Sequence, residues 1–544
     1  MERFSSLSPT SKDRSLSLVK HPSIRIEINY RELLLHEIRY ELRKMSALLL
    51  ESLRAWWPET ILSFGALGVL LLGAWVRPAG PSKATSNGGL FAAETSTTST
   101  RLFWIASGVI LVASGVALWF SPTSPDSETF FGLIICDPLS RVLRWIALAT
   151  TALVILMVVD SREVVSHRRG EYVGLLLLIG LGLMLMAEAN HLLMAYVAME
   201  LVSLSSYVLV GFLDQRRSAE AALKYLFFGA LSSAVMLFGM SLLFGLTGQL
   251  GFPDILQALM RPVAGSGALM MVAVTFLLAG LAFKISMVPF HMWTPDAYEG
   301  APVPVAAFLS VGPKAAGLAL LLRVMTALGP IWPDLEPLIL SLTIVTMTLG
   351  NLVAIVQTNV KRLLAYSTIA QVGYLLIGFS VNSNLGLQAI LVYLVAYMFM
   401  NLGVFACAVA VVNDSGNESL EAFRGLAQRS PVLAFLCTLF LLSLAGIPPL
   451  LGFFGKFLLF GAAVESGQIV LAIAGVVNSA VALYYYINLV RLMYLLDPQQ
   501  ARPLHLKLPL RLAVVLCGVG TLWLGLFPNE LVALLRGSSF ISLF

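Results

Sequence analysis

Long stretches of this chain carry no charge. Asp, Glu, Lys and Arg together make up 12% of its 544 residues, against about 25% in a soluble domain. That scarcity excludes a solvated globular fold. Cysteine is scarce too. Cys136, Cys407, Cys437 and Cys517 are scattered and no C-x-x-C occurs, which argues against an iron–sulfur or zinc site. No G-x-G-x-x-G follows a strand pattern. The Gly-Lys of "LLGFFGKF" (450–457) has Phe457 where a phosphate-binding loop needs Ser or Thr. The chain is therefore expected to bind no nucleotide, flavin or metal itself. Short alternating segments are missing as well, which excludes a membrane β-barrel. A pI near 9.0 arises from basic residues flanking apolar runs, not from a nucleic-acid surface.

What the sequence has in abundance is apolar length. Hydrophobic residues make up 58% of it, and the mean hydropathy is +0.85. Crossing the hydrocarbon core takes about 20 helical residues. Fourteen candidate spans stand near 59–76, 102–120, 141–160, 171–187, 191–213, 219–246, 266–288, 302–326, 335–357, 361–381, 385–412, 431–461, 468–496 and 508–532. The expectation is an all-α integral membrane fold of about fourteen transmembrane helices. Loops after odd-numbered spans carry the basic residues, among them Arg162, Arg168, Arg216, Arg217, Lys361, Arg362, Arg424 and Lys507. Loops after even-numbered spans are nearly bare, Arg261 being the main exception. Basic loops stay cytoplasmic, so both termini are expected on the periplasmic side. Residues 1–44 are polar and lack the apolar region of a signal peptide. From Ile24 to Leu50 the pattern predicts an amphipathic surface helix; the alternative is a start at Met45, which leads straight into the first span.

Against this background a few charges stand out. Glu200, Lys224, Lys284, Lys314 and Lys456 interrupt apolar helices. Each costs about 2.5–3.5 kcal/mol at the bilayer centre, and such residues generally face the bundle interior and mark ion or proton paths. Lys224 also fits snorkelling from a helix end. Pro289 follows Lys284, and Pro448, Pro449, Gly452 and Gly455 crowd the approach to Lys456. Proline removes a helix hydrogen bond, and a broken span survives in the membrane only where protein or water satisfies its backbone. Broken helices are thus expected in spans 7 and 12. Their separation predicts two five-helix repeats, 171–326 and 335–496, the second inverted because five is odd. Segments 1–58, 59–170 and 508–544 form the extension, helices 1–3 and helix 14. Water admitted by the break would let Lys284 exist. Alternate pairing of Glu200 with Lys224, and repulsion between Lys224 and Lys284, would load and release a proton without a redox cofactor. His291, beside the first break, is either a proton relay or a loop anchor. His191 and Tyr196 read as structural, and Asp296 and Glu299 as solvated or hydrogen-bonded.

Three stretches carry a resemblance: "KISMVPFHMWTPDAYEGAPVPVAAFLSVGPKAAGLALLLRV" (284–324), "VKRLLAYSTIAQVGYLLIG" (360–378) and "LSLAGIPPLLGFFGKF" (442–457). They resemble the subunit N family of respiratory complex I, the proton-translocating NADH:quinone oxidoreductase, over roughly 130–500. The equivalent subunit of photosynthetic plastoquinone-linked complexes remains open. So do a monovalent cation/proton antiporter related by fold and a non-pumping scaffold. The resemblance implies an antiporter-like fold with inverted repeats. It places proton translocation on Glu200, Lys224, Lys284, Lys314 and Lys456. It implies no cofactor in this chain, with NADH, FMN, iron–sulfur clusters and quinone held by partner subunits. The implied partners are other antiporter-like and small helical membrane-arm subunits in a bacterial inner (plasma) membrane, with no nucleic acid.

Overall fold

Apolar length and local capping decide where each helix starts and stops. The structure is a computed structural model and describes residues 52–75, 97–122, 128–163, 168–261, 267–499 and 502–536, with positions 39 and 50. Apart from those two positions, the expected surface helix over Ile24–Leu50 and the alternative start at Met45 lie outside the described residues. The α-helices of eight or more described residues are α1 (Trp57–Trp75), α2 (Thr97–Phe120), α3 (Pro138–Asp160), α4 (Arg169–Glu188), α5 (Leu192–Val210) and α6 (Arg216–Thr247). Next come the short α7 (Phe252–Leu259), α8 (Gly267–Ile285), α9 (Trp293–Gly300), α10 (Val303–Ala327), α11 (Trp332–Ala354) and α12 (Val360–Ser380). The last are α13 (Asn384–Ser415), α14 (Pro431–Ala445), α15 (Leu451–Glu465), α16 (Ile469–Leu495), α17 (Leu508–Leu526) and α18 (Pro528–Arg536). Two-residue strands, Glu128–Thr129 and Ile134–Ile135, pair antiparallel between α2 and α3.

Thirteen of the described helices are long and apolar enough to cross a membrane, one fewer than the fourteen expected spans. The difference lies at span 12, which is two 15-residue helices, α14 and α15. At 1.5 Å per residue each reaches only about 22 Å, short of the hydrocarbon thickness. Between them the proline pair supplies no N–H to continue the ladder. Span 7 differs: α8 alone is long enough to cross, and the chain leaves the helix only at its end. Helix α8 ends at Ile285, Ser286 turns to φ 65°, and α9 begins at Trp293.

From the start of α5 to the turn after α6, the first half repeats in the second at an offset of 168 residues. Helices α6 and α13 are both 32 residues long and both end on a left-handed glycine, Gly248 (φ 68°) and Gly416 (φ 67°). Leu192 N–H donates to Leu250 O at 2.9 Å, and Val360 N–H donates to Glu418 O at 2.9 Å. Bridges His191–Gly251 and Asn359–Ser419 repeat the match. At the breaks the offset is 160. Met287 N–H bonds Ala282 O as Ile447 N–H bonds Leu442 O. At the 168-residue offset Thr368 and Gln371 stand where Glu200 and Ser203 stand in the first half.

The centre of the bundle is α10, whose apolar window is entirely buried, flanked by α12 (94%) and α13 (89%). The windows of α2 and α6, at 22% and 28% buried, form the rim. Helix α10 packs against α3, α4, α8 and α13, so groups on it can meet groups from both halves.

Candidate functional site

The break after α8 places Lys284 in the last turn of that helix, 1% exposed. Its Nζ donates to Ser203 Oγ at 3.0 Å and to Met199 O at 3.4 Å. Both belong to α5 and flank Glu200 along that helix. The Glu200 carboxylate is half-buried and accepts a short hydrogen bond from Ser233 of α6. Lys284 and Glu200 are therefore brought together against one stretch of α5. The stem of Lys284 lies against α10 at Gly317, where an added Cβ would stand 3.4 Å from Lys284 Cγ and 2.7 Å from Ile285 Cγ2. Only glycine permits that approach.

Lys314 stands one turn before Gly317 on α10. It is 1% exposed, and its Nζ has no hydrogen-bond partner among the described residues. Aromatic faces take that place. The ammonium lies 4.5 Å from the Trp293 ring centre and 5.5 Å from that of Tyr298, both on α9. Cation–π contacts strengthen where water is excluded, to about 2 kcal/mol or more. Trp293 is fixed by stacking on Tyr225 of α6 at 4.2 Å and by donating its indole N–H to Phe283 O at 3.0 Å. That carbonyl lies in the open last turn of α8, so the break itself orients the aromatic wall.

In the second half Lys456 of α15 is 3% exposed. It donates to Leu444 O at 2.9 Å and Ala445 O at 3.2 Å, the freed carbonyls at the end of α14, and to Ser479 Oγ at 3.2 Å. A helix C-terminus carries partial negative charge, so the second break makes a cation seat. The Tyr374 ring covers the ammonium at 4.2 Å.

A polar thread in α12 joins these seats. Gln371 Nε2 donates to Leu444 O at 3.3 Å, the same carbonyl that holds Lys456, and to Tyr486 Oη at 3.2 Å. Tyr393 donates to Gln371 Oε1, and Ser367 shares a 2.6 Å hydrogen bond with Tyr486. One turn back, Thr368 accepts from Tyr397 Oη at 3.1 Å and neighbours the Tyr298 phenol under Lys314. Sequence reasoning missed Thr368, Gln371, Tyr393, Tyr397 and Tyr486. The signal was present: Ser367, Thr368 and Gln371 stand within five positions in the middle of a span, inside the stretch 360–378.

Lys224 lies where snorkelling from a helix end would put it, and the expected pairing with Glu200 is not formed. Its side chain is 45% exposed and pairs with Glu220 at 3.0 Å and Asp296 at 3.2 Å, not with Glu200. The reason is its position near the start of α6. It lies nine residues before Ser233, about 13 Å along the helix axis, so it meets the charged end of α9 instead. Asp296 and Glu299, expected in a short loop as solvated or hydrogen-bonded, lie in helix α9 and are ion-paired to Arg362 of α12 at 3.0 and 2.7 Å. His291 is buried in the first break, and its Nδ1 has no partner among the described residues.

A second charged group was not foreseen. Arg144 of α3 is fully buried between Glu59 of α1 and Glu188 of α4, at 2.6 and 2.8 Å. Beside it Arg323 of α10 holds Asp137 at 2.8 Å and donates to Ala187 O at 2.8 Å. This network ties α1, α3, α4 and α10 at one end. Among the described residues, no group of three or more His, Cys, Asp or Glu is placed to hold a metal ion.

Comparison with known proteins matches these features to one family. The sequence model described as "NADH:quinone oxidoreductase/Mrp antiporter, TM" matches residues 189–482, the segment that carries all five charges. NAD(P)H-quinone oxidoreductase subunit 2 of Gloeothece citriformis is 41% identical, covering 79% of this chain and 86% of its own. NADH-quinone oxidoreductase subunit N 1 of Rhizobium meliloti is 40% identical, covering 83% and 90%. A chain of respiratory complex I from Thermus thermophilus, solved with bound aureothin, superposes with a TM-score of 0.71 at 33% identity, covering 88% of this chain and 98% of that one. With its broken spans, buried lysines and these likenesses, the chain belongs to the NADH:quinone oxidoreductase/Mrp antiporter transmembrane family.

Proposed function

We propose that this chain is a proton-translocating membrane subunit of an NADH:quinone oxidoreductase. The observation that carries the reading is the line of half-buried Glu200 and buried Lys284, Lys314 and Lys456, joined across the middle by Thr368, Gln371 and their tyrosines. Each station can hold a positive charge in a different way: a hydroxyl and carbonyl for Lys284, aromatic faces for Lys314, helix-end carbonyls for Lys456. A change of charge at one station alters the preference of the next, because the stem of Lys284 lies against α10 at Gly317, one turn from Lys314. Lys224 acts at the charged edge with Glu220 and Asp296, where it can bias Glu200 from outside the line. His291 is a candidate relay at the first break.

The chain works as part of a translocase and carries no redox centre of its own. NADH, FMN, iron–sulfur clusters and quinone belong to partner subunits. Relatives named as subunits of such complexes support partnership with other antiporter-like subunits of a membrane arm. The alternation of basic loops supports an inner (plasma) membrane location with odd-numbered loops cytoplasmic and protons leaving on the far side. The repeated turns at a 168-residue offset support two five-helix repeats, 171–326 and 335–496, with 59–170 and 508–544 outside them. Relatives named as subunit N and as subunit 2 are about equally similar, at 40% and 41% identity, and the proposed proton path does not depend on which quinone is reduced.

The test is pumping by membranes that contain the assembled complex. Lys284→Ala and Glu200→Ala are expected to lower the protons moved per NADH oxidised while assembly persists. A normal ratio in an assembled mutant complex overturns the proposal. Exchange of Na⁺ or K⁺ for protons by the chain in proteoliposomes without NADH would favour the antiporter reading instead.

A further inference from the structure

The face formed by the odd-numbered loops opens into a cavity of about 790 Å³. Its wall includes Glu163, Arg217, Glu299, Asn359 and Glu418. Behind that wall lies Lys361, in the first turn of α12 and 1% exposed. Its Nζ pairs with Glu418 Oε1 at 2.5 Å and donates to Ala301 O at 2.8 Å, where α9 ends. Glu418, 22% exposed, is thus the group between solvent and a buried ammonium.

An ion pair here has a bland explanation: it could fasten the turn that joins α11 to α12. The repeated architecture argues against this. The first half builds the same turn, with the same backbone bonds and bridge, and has Leu193 and Leu250 where the second half has Lys361 and Glu418. Neither charge is needed for the backbone geometry. Lys361 is 1% exposed where its counterpart Leu193 is 56% exposed, so the second half covers with protein a position that the shared turn leaves open, and puts a charge there. The other charged groups near Lys361 are Glu163, Arg217 and Arg362. Glu163 accepts from Val303 N–H at 2.9 Å, and burial raises its carboxyl above the ordinary range against the opposing pull of Lys361. Arg217 stands 3.8 Å from Glu418, and Arg362 turns away to Asp296 and Glu299.

Inward from Lys361 the path leads to the stations proposed above. Thr368 is seven residues along α12, on the same face. Tyr298 is one turn of α9 back from Ala301, under Lys314. We propose that Lys361 is the uptake station of the proton path, loaded from the cavity through Glu418. In the step, Lys361 gives a proton inward to water on the Thr368 and Tyr298 side and becomes a neutral amine. Glu418, protonated from cavity water, then breaks its O–H bond and forms a new N–H bond on Lys361, which restores the ion pair. This rests on the proton-translocating reading above.

Arginine separates the two explanations, since it keeps the charge and the bond to Ala301 O but does not deprotonate in proteins. Inverted membrane vesicles holding the assembled complex are compared for wild type, Lys361→Arg, Glu418→Gln and Lys284→Ala, as protons moved per NADH oxidised. The amount of assembled complex is measured separately by NADH oxidation with an artificial acceptor. Lys361→Arg is expected to assemble normally and to pump no better than Lys284→Ala. Glu418→Gln, which still accepts from the lysine but cannot deliver a proton, is expected to fall likewise. Wild-type pumping by either assembled variant, with Lys284→Ala impaired, overturns the uptake assignment alone. Wild-type pumping by Lys284→Ala overturns the proton-translocating reading on which it rests.

Discussion

The Lys314 ammonium and the Trp293 indole face each other at 4.5 Å, in a part of the bundle where Lys314 has no hydrogen-bond partner among the described residues. A ring face takes the place of water. Trp293→Leu removes that face and is expected to lower pumping about tenfold, equivalent to about 1.4 kcal/mol of lost stabilisation in the step that charges Lys314. Trp293→Phe keeps a weaker face and should retain intermediate activity. Equal loss in the two variants would show that the indole N–H bond to Phe283 O, not the ring, is what matters.

Arg144 is expected to govern stability more than transport. Arg144→Met leaves Glu59 and Glu188 buried without their cation. Breaking a buried pair by removing one partner costs about 3–5 kcal/mol. The amount of chain in the membrane and the melting temperature of the purified complex should both drop. Arg144→Lys keeps the charge without the two-pronged fork and should fall between.

Gln371→Leu cuts the thread between the halves. Tyr393 and Tyr486 lose their shared partner, and an unsatisfied buried hydroxyl costs about 1–3 kcal/mol. The expected outcome is a loss of protons pumped per NADH in complexes that still assemble. A variant with less assembled complex but a normal ratio would make Gln371 a brace and not a carrier.

Two glycines of α15 give a steric contrast. A Cβ on Gly452 would stand 1.9 Å from Ser443 O of α14, whereas one on Gly461 meets nothing within 4 Å. Overpacking typically costs about 1–3 kcal/mol. Gly452→Ala should reduce assembly by forcing α14 and α15 apart. Gly461→Ala should be neutral or slightly stabilising, because alanine is the better helix former. Thermal inactivation of the two variants side by side checks both.

Much of this site was legible before any coordinates, and for a physical reason. A lysine deep in an apolar span must have a cause, so Lys284, Lys314 and Lys456 announced themselves, and the prolines marked both breaks. Glu59, Glu188 and Lys361 did not, because a charge at the end of a span looks like an ordinary boundary residue. Burial separates the two cases, and burial depends on which helices cover that end. The pairing of Lys224 with Asp296 was hidden likewise, since the reach of α9 toward α6 is set by the break and not by sequence spacing. The pattern 360–378 was visible, but the partners of Gln371 come from three other helices.

The enclosure of α10 bears on how the protein is made. A segment with no lipid-facing side is released from the demand that it be oily on its own account. It can accommodate Pro313, Lys314 and Arg323 in one run. The same freedom makes it a poor solitary candidate for the translocon, for which Lys314 alone counts about 2.5–3.5 kcal/mol against lateral release. Its delivery into the bilayer then depends on companions, α4 and α8 upstream and α13 downstream. Biogenesis of the central helix becomes a collective event and not a stepwise one.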